Sequence, residues 1–158
     1  MKFLIQIVTI ILFCVTMAFA QKTLIHAGSL IDGVTKKMKT KQTIIIKDGF
    51  ISDVKNGYLK ADPDDTVIDL KNATVTPGWM DLHVHLGSQS SPQSYSEDFY
   101  LNPEDFAYRS VPWVEKTLLA GFTTVRDVGG EVVIAARDAV NKGYIKGCLL
   151  YTSPSPRD

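Results

Sequence analysis

Two histidines set two residues apart carry the most suggestive chemistry in this sequence. Residues 81–85 read Asp-Leu-His-Val-His, within an apolar, alternating stretch that has the pattern of a β-strand and follows a Pro77-Gly78 turn. Side chains alternate faces along a strand, so Asp81, His83 and His85 are expected on one side. Neutral imidazole is a common ligand for zinc and similar divalent ions, and two rings at i and i+2 can approach one ion together. A bare His-x-His also occurs on ordinary solvated strands, so the spacing needs structural context before it means a metal site.

The surrounding chain supplies elements that could position such a strand. Residues 22–75 read as a series of short strands separated by turns: 23–27 up to Gly28, 29–32 up to Gly33, 42–47, 50–54, 66–70 and 73–75. Asp48-Gly49 between two β-branched runs is a hairpin signal. Asp62-Pro63-Asp64-Asp65 is acidic but lacks the ligand spacing of a calcium loop, and reads as a solvated turn. His26 is a lone strand histidine with no assigned role.

Downstream of His85 the pattern changes. Residues 87–100 form a Ser- and Gln-rich polar loop, read equally as a substrate-contacting loop or a solvated connector. A helix then starts at Asn102-Pro103, with Glu104 and Asp105 suited to the positive end of its dipole. Phe106, Val111, Val114 and Leu118 give it an apolar stripe, Gly121 ends it, and Pro112 is expected to kink or split it near Arg109. Residues 122–128 read as a strand, Gly129-Gly130 as a turn, 132–141 as a second helix and Gly143 as its cap. Strand, helix, strand, helix at this spacing implies a parallel sheet with right-handed crossovers.

Composition narrows the class. The chain has 158 residues with 17 basic and 17 acidic side chains, a balance that gives no footing for nucleic acid. Cys14 and Cys148 have neither ligand-like nor disulfide-like spacing. Residues 1–20 read as a secretory signal peptide: Lys2, an apolar core, then Ala18-Phe19-Ala20 as a small-x-small cleavage site. The apolar run is short for a membrane span of about 20 residues. The expected mature start is Gln21, giving an exported protein, periplasmic or secreted, with no stable membrane anchor after cleavage.

With the elements in place, the motifs resemble a known family. Pro77-Gly-Trp-Met-Asp-Leu-His-Val-His85 is similar to the first barrel strand of the metal-dependent amidohydrolase superfamily. Thr117-Leu-Leu-Ala-Gly-Phe-Thr-Thr-Val-Arg-Asp127 is similar to its second strand in the branch related to imidazolonepropionase and the Xaa-Pro dipeptidases. The resemblance implies an α/β fold: the N-terminal part of a small β-sandwich (21–76), then the first two β/α units of a (β/α)8 TIM-type barrel (77–147). It implies one or two divalent metal ions, zinc above all, held in part by His83 and His85, with the remaining ligands on later strands. It further implies a hydrolase of amide C–N bonds in dipeptides such as Xaa-Pro or in N-acyl amino acids, with a small-molecule or dipeptide substrate and a homo-oligomeric parent. Arg126 and Asp127, at the C-terminal end of the second strand, are expected to face the site as substrate-binding residues, with a structural salt bridge as the plain alternative.

A β/α barrel needs roughly 250 residues, so this chain is expected to be a piece of a longer enzyme and inactive by itself. Residues 148–158 show no barrel periodicity and are similar to the translation of a transposase adapter used in preparing sequencing libraries. They are therefore set apart from fold reasoning. Two other readings compete: a cyclic-amide hydrolase or deaminase of the same superfamily, and a non-enzymatic exported β module that sequesters metal on His83 and His85.

Overall fold

The computed structural model describes residues 21–153; the signal peptide reading of residues 1–20 lies outside that range. Two units make up the chain, residues 1–77 and residues 78–158.

The first unit is a four-stranded sheet of β1 (Thr23–Leu30), β2 (Lys39–Lys47), β3 (Phe50–Asn56) and β4 (Thr66–Val75), in the order β3-β2-β1-β4. β2 pairs antiparallel with both β1 and β3, while β4 runs parallel to β1. Asp48 and Gly49, with φ of 51° and 80°, form the expected hairpin turn between β2 and β3. Leu24, Ala27, Leu30 and Ile44 are buried.

Two predicted interruptions are absent. The strand does not stop at Gly28, and 66–70 and 73–75 are one strand. Between Ala27 and Ser29 the partner positions on β4 jump from Leu70 to Thr74, so β4 bulges against β1. A Cβ on Gly28 would collide with the Lys71 carbonyl at that bulge, which is why glycine sits inside the strand. The acidic 62–65 loop is a built turn: the Asp65 carboxylate accepts from Lys22 N and Asp62 N at 3.2 and 3.1 Å, and Lys22 Nζ reaches Asp62 at 3.0 Å.

The second unit is a β/α layer. β5 (Trp79–Val84) leads through a loop containing the one-turn α1 (Ser94–Glu97) to α2 (Pro103–Leu119). Then follow β6 (Phe122–Asp127), α3 (Glu131–Asn141) and β7 (Leu149–Thr152). The three strands are parallel, in the order β5-β6-β7. Leu86, Val114, Val125, Val133, Ala136, Cys148 and Leu150 form the core. Burial of the Cys148 thiol pushes its pKa up, as for an inert core cysteine.

Pro112 does not split α2, which continues from Pro103 to Leu119. The proline removes one backbone donor to the carbonyl four residues earlier. Pro112 and Tyr108 are both exposed, so water can reach that carbonyl. The buried stripe of α2 centres on Ser110 and Val114, and the Ser110 hydroxyl donates back to the Ala107 carbonyl at 2.7 Å.

The largest departure concerns the stretch set apart from fold reasoning. Residues 149–152 form the third parallel strand, with Thr124, Val125, Arg126 and Asp127 paired to Leu149, Leu150, Tyr151 and Thr152. Cys148 and Leu150 point into the core while Leu149 and Tyr151 are exposed. Strand pairing draws on backbone groups that every sequence has, and this short alternation is enough to fill the next sheet position. Gly147 admits the chain there, since a Cβ at that residue would run into Val114 and Val140.

Candidate metal centre

The candidate site lies where β5 ends. Gly78 allows β5 to close on β6, since a Cβ there would overlap the side chain of Thr123. The Trp79 amide then donates to the Gly121 carbonyl at 2.9 Å. Asp81 pairs with Val125 and Val84 with Asp127, so three steps along β5 match two along β6. This bulge corrects the expectation that Asp81 shares a face with both histidines. The departure is at His83: Asp81 and Val84 are both half-buried against the α2 side of the sheet, where they line one cavity together with His85, while His83 is exposed and does not line it. The Asp81 carboxylate instead accepts from the His83 backbone N–H at 3.0 Å.

His83 and His85 do come together. Their ring centroids are 5.4 Å apart with 73° between the planes, and both side chains are exposed. Two neutral imidazoles so placed suit zinc or a similar borderline ion, whose bonds to nitrogen are about 2.0–2.1 Å. Among the described residues no cluster of three or more His, Cys, Asp or Glu gathers. The pair therefore fits a metal as two ligands of a larger set, because catalytic zinc takes three protein ligands.

Arg126 and Asp127 do not share a face, contrary to expectation, because they are consecutive on a strand. Arg126 is exposed, and its Nε donates to the Leu82 carbonyl at 3.1 Å. Asp127 is 1% exposed. Its Oδ2 accepts from Leu86 N at 2.5 Å and its Oδ1 from Gly129 N at 3.0 Å. The salt-bridge alternative is not what is built either, since backbone N–H groups satisfy this carboxylate.

The loop after His85 is ordered by its serines. Ser91 N donates to Ser94 Oγ at 2.7 Å, Ser94 Oγ donates to the Gln89 carbonyl at 2.9 Å, and Glu97 pairs with Arg109 of α2 at 2.9 Å. A cavity of about 430 Å³ opens among Ser88, Ser91, Glu97, Arg109 and Trp113. A smaller one of about 310 Å³ reaches His85 itself, with Asp81, Gln89 and Trp113 on its walls.

A family model described as the amidohydrolase family matches residues 74–157, slightly more than half of the chain. The chain belongs to the amidohydrolase family. Among solved structures it is similar to a Xaa-Pro dipeptidase, at 39% identity and a TM-score of 0.76, over 85% of this chain and 34% of that one. It is also similar to molinate hydrolase, at 25% identity and a TM-score of 0.67, over 85% of this chain and 30% of that one. An enamidase from Eubacterium barkeri is 37% identical over 82 residues, 49% of this chain and 21% of that protein. The chain thus spans about a third of these two solved structures and a fifth of the enamidase. The fold is the N-terminal β-sandwich portion and opening barrel strands of an amidohydrolase.

Within that frame the sequence brought out His83 and His85 but missed Leu86 and Gly129, whose backbone N–H groups complete the site's support. A backbone donor carries no side-chain signature. Gly129, lying in a Gly-Gly turn just after a strand ending in Asp, was the one legible sign.

Proposed function

We propose that the protein carrying this sequence is an exported metal-dependent hydrolase of amide C–N bonds, acting on dipeptides such as Xaa-Pro or on N-acyl amino acids. The observation that carries the reading is the pair His83 and His85, side by side at the end of β5, inside a stretch matched by the amidohydrolase family. The likeness to a Xaa-Pro dipeptidase over 85% of the chain supports the substrate class, and residues 1–20 support export.

His83 and His85 would hold a divalent ion, most simply zinc, and a bound ion of that kind supplies an acidified water and a polarised scissile carbonyl. The chain's own residues do the positioning. Asp81 braces the His83 backbone and lines the cavity that reaches His85. Arg126 presents an exposed guanidinium beside Leu82, where it suits a substrate carboxylate. Asp127 serves the framework, not the substrate.

Hydrolysis of Xaa-Pro dipeptides and N-acyl amino acids by the purified full-length protein tests this. Turnover should be lost on chelation, return with zinc, and be absent in His83→Ala and His85→Ala. Amide hydrolysis indifferent to chelation would refute it. The enamidase likeness favours a second reading, a cyclic-amide hydrolase or deaminase of the same superfamily. Turnover of cyclic amides with none of dipeptides would select it.

A further inference from the structure

We propose that Asp127 is a positioning residue for His85: its buried carboxylate fixes the peptide just after that histidine and the turn that flanks its ring, and so presents the imidazole in one orientation. The purpose rests on the metal reading above, but the geometry stands independently. His85 lies one residue past the end of β5, where ladder pairing no longer holds it. Two bonds replace the ladder. On one side the Val84 carbonyl accepts from Val128 N at 3.2 Å. On the other, Leu86 N donates to Asp127 Oδ2 at 2.5 Å.

The second carboxylate oxygen does a different task. Asp127 Oδ1 accepts from Gly129 N at 3.0 Å and so draws the 128–130 turn back over the strand end. That places Gly129 against the imidazole, with the position of its missing Cβ 3.8 Å from both Cε1 and Nδ1 of His85. One buried carboxylate thus ties the peptide after His85 to the turn that flanks its ring. A carboxylate is suited to this because it accepts at both oxygens, and burial at 1% exposure keeps water from competing. An asparagine offers one acceptor and turns an amide N–H towards the other donor. Support of this kind behind a ligand changes metal affinity by about 10–100-fold.

The chain has three histidines, His26, His83 and His85, so ring NMR of the histidine-labelled full chain resolves each of them. In metal-free buffer Asp127→Asn should shift or double the His85 ring signals and leave those of His26, in the other unit, unchanged. Zinc affinity should fall about 10–100-fold. Wild-type His85 signals and zinc affinity in a folded Asp127→Asn, even one melting at lower temperature, would overturn the proposal. Gly129→Val keeps the carboxylate and its bond to Leu86 but puts methyl groups against the ring. It should move the His85 signals too, and unchanged signals in that variant would likewise overturn the proposal should Asp127→Asn fail to fold. Absence of zinc binding in the wild type would count against the metal reading, while the metal-free spectra still decide the role of Asp127.

Discussion

The two units use the same residue types for opposite ends. In the four-stranded sheet His26 is buried, with Nε2 3.0 Å from the Leu59 carbonyl and its ring 5.3 Å from that of Tyr58. In the β/α unit His83 and His85 are exposed, and the support lies behind them. Carboxylates differ in what they tie together. Asp32 in the sheet unit accepts from Val34 N and Thr35 N at 3.0 and 2.8 Å and pairs with Lys39 at 2.8 Å, all within one turn region. Asp127 joins residues far apart in sequence, 41 positions in the case of Leu86. Asp65 in the sheet unit also reaches far, to Lys22 N 43 positions away, but it closes the 62–65 turn, whereas Asp127 holds the peptide that follows His85.

Four experiments would break or sharpen that contrast. The largest effect is expected in metal affinity. Zinc binding by calorimetry should weaken by roughly 100-fold or more in His83→Ala and His85→Ala, beyond the 10–100-fold typical of groups behind a ligand. The same substitution at His26 should leave zinc binding intact and lower stability instead, by about 1–3 kcal/mol through loss of a buried hydrogen bond. Equal loss of zinc binding in all three variants would erase the distinction between the units.

Next come two packing changes, one in each unit. Val125→Ala empties part of the β/α core, where Val125 is fully buried, and should cost about 2–3 kcal/mol in denaturant unfolding. Gly28→Ala should cost about 1–3 kcal/mol in the sheet unit, because the added methyl meets the Lys71 carbonyl at the β4 bulge. A neutral Gly28→Ala would mean that β4 can move away from β1.

The smallest expected effect is that of acid on the sheet unit. Lys39, with the backbone N–H groups of Thr35 and Val34, holds the Asp32 carboxyl well below the usual carboxylate range. The Asp62 and Lys22 backbone N–H groups, helped by the Lys22 charge, hold Asp65 low as well. A depressed folded pKa gives stability that is present above the unfolded value of about 3.9 and is lost as pH falls through the folded value. Sheet signals monitored by circular dichroism should therefore weaken below about pH 4, and Asp32→Asn should flatten that dependence. The Asp32–Lys39 pair is partly solvent-exposed, so its share of the effect is modest and should shrink in high salt.

How far the sequence could be read follows a division between local and long-range determinants. The Asp48-Gly49 hairpin, the helix start at Asn102-Pro103 and the His-x-His strand were legible because each depends on neighbours in the chain. Asn102 N does donate to Asp105 Oδ2 at 2.9 Å, as its start signature implied. The bulges were not legible. Whether β5 slips against β6 at Asp81, or β4 against β1 at Gly28, depends on a partner strand whose register no local pattern records. Placing Arg126 and Asp127 on one face was an error of a different kind, since strand alternation alone forbids it. Residues 148–152 were set apart for their likeness to an adapter, yet Cys148 and Leu150 have the spacing a strand needs. Pro112 showed that a helix breaker on a wet face need not break a helix.

The central claim is that His83 and His85 act together on one divalent ion while His26 serves the fold. Zinc titrated into the histidine-labelled full chain, followed by the ring signals of its three histidines, tests that most directly. The expected result is that His83 and His85 shift together to a common endpoint at one equivalent of zinc, with His26 unmoved. Rings of His83 and His85 that stay unchanged at excess zinc, or that titrate separately, would contradict it.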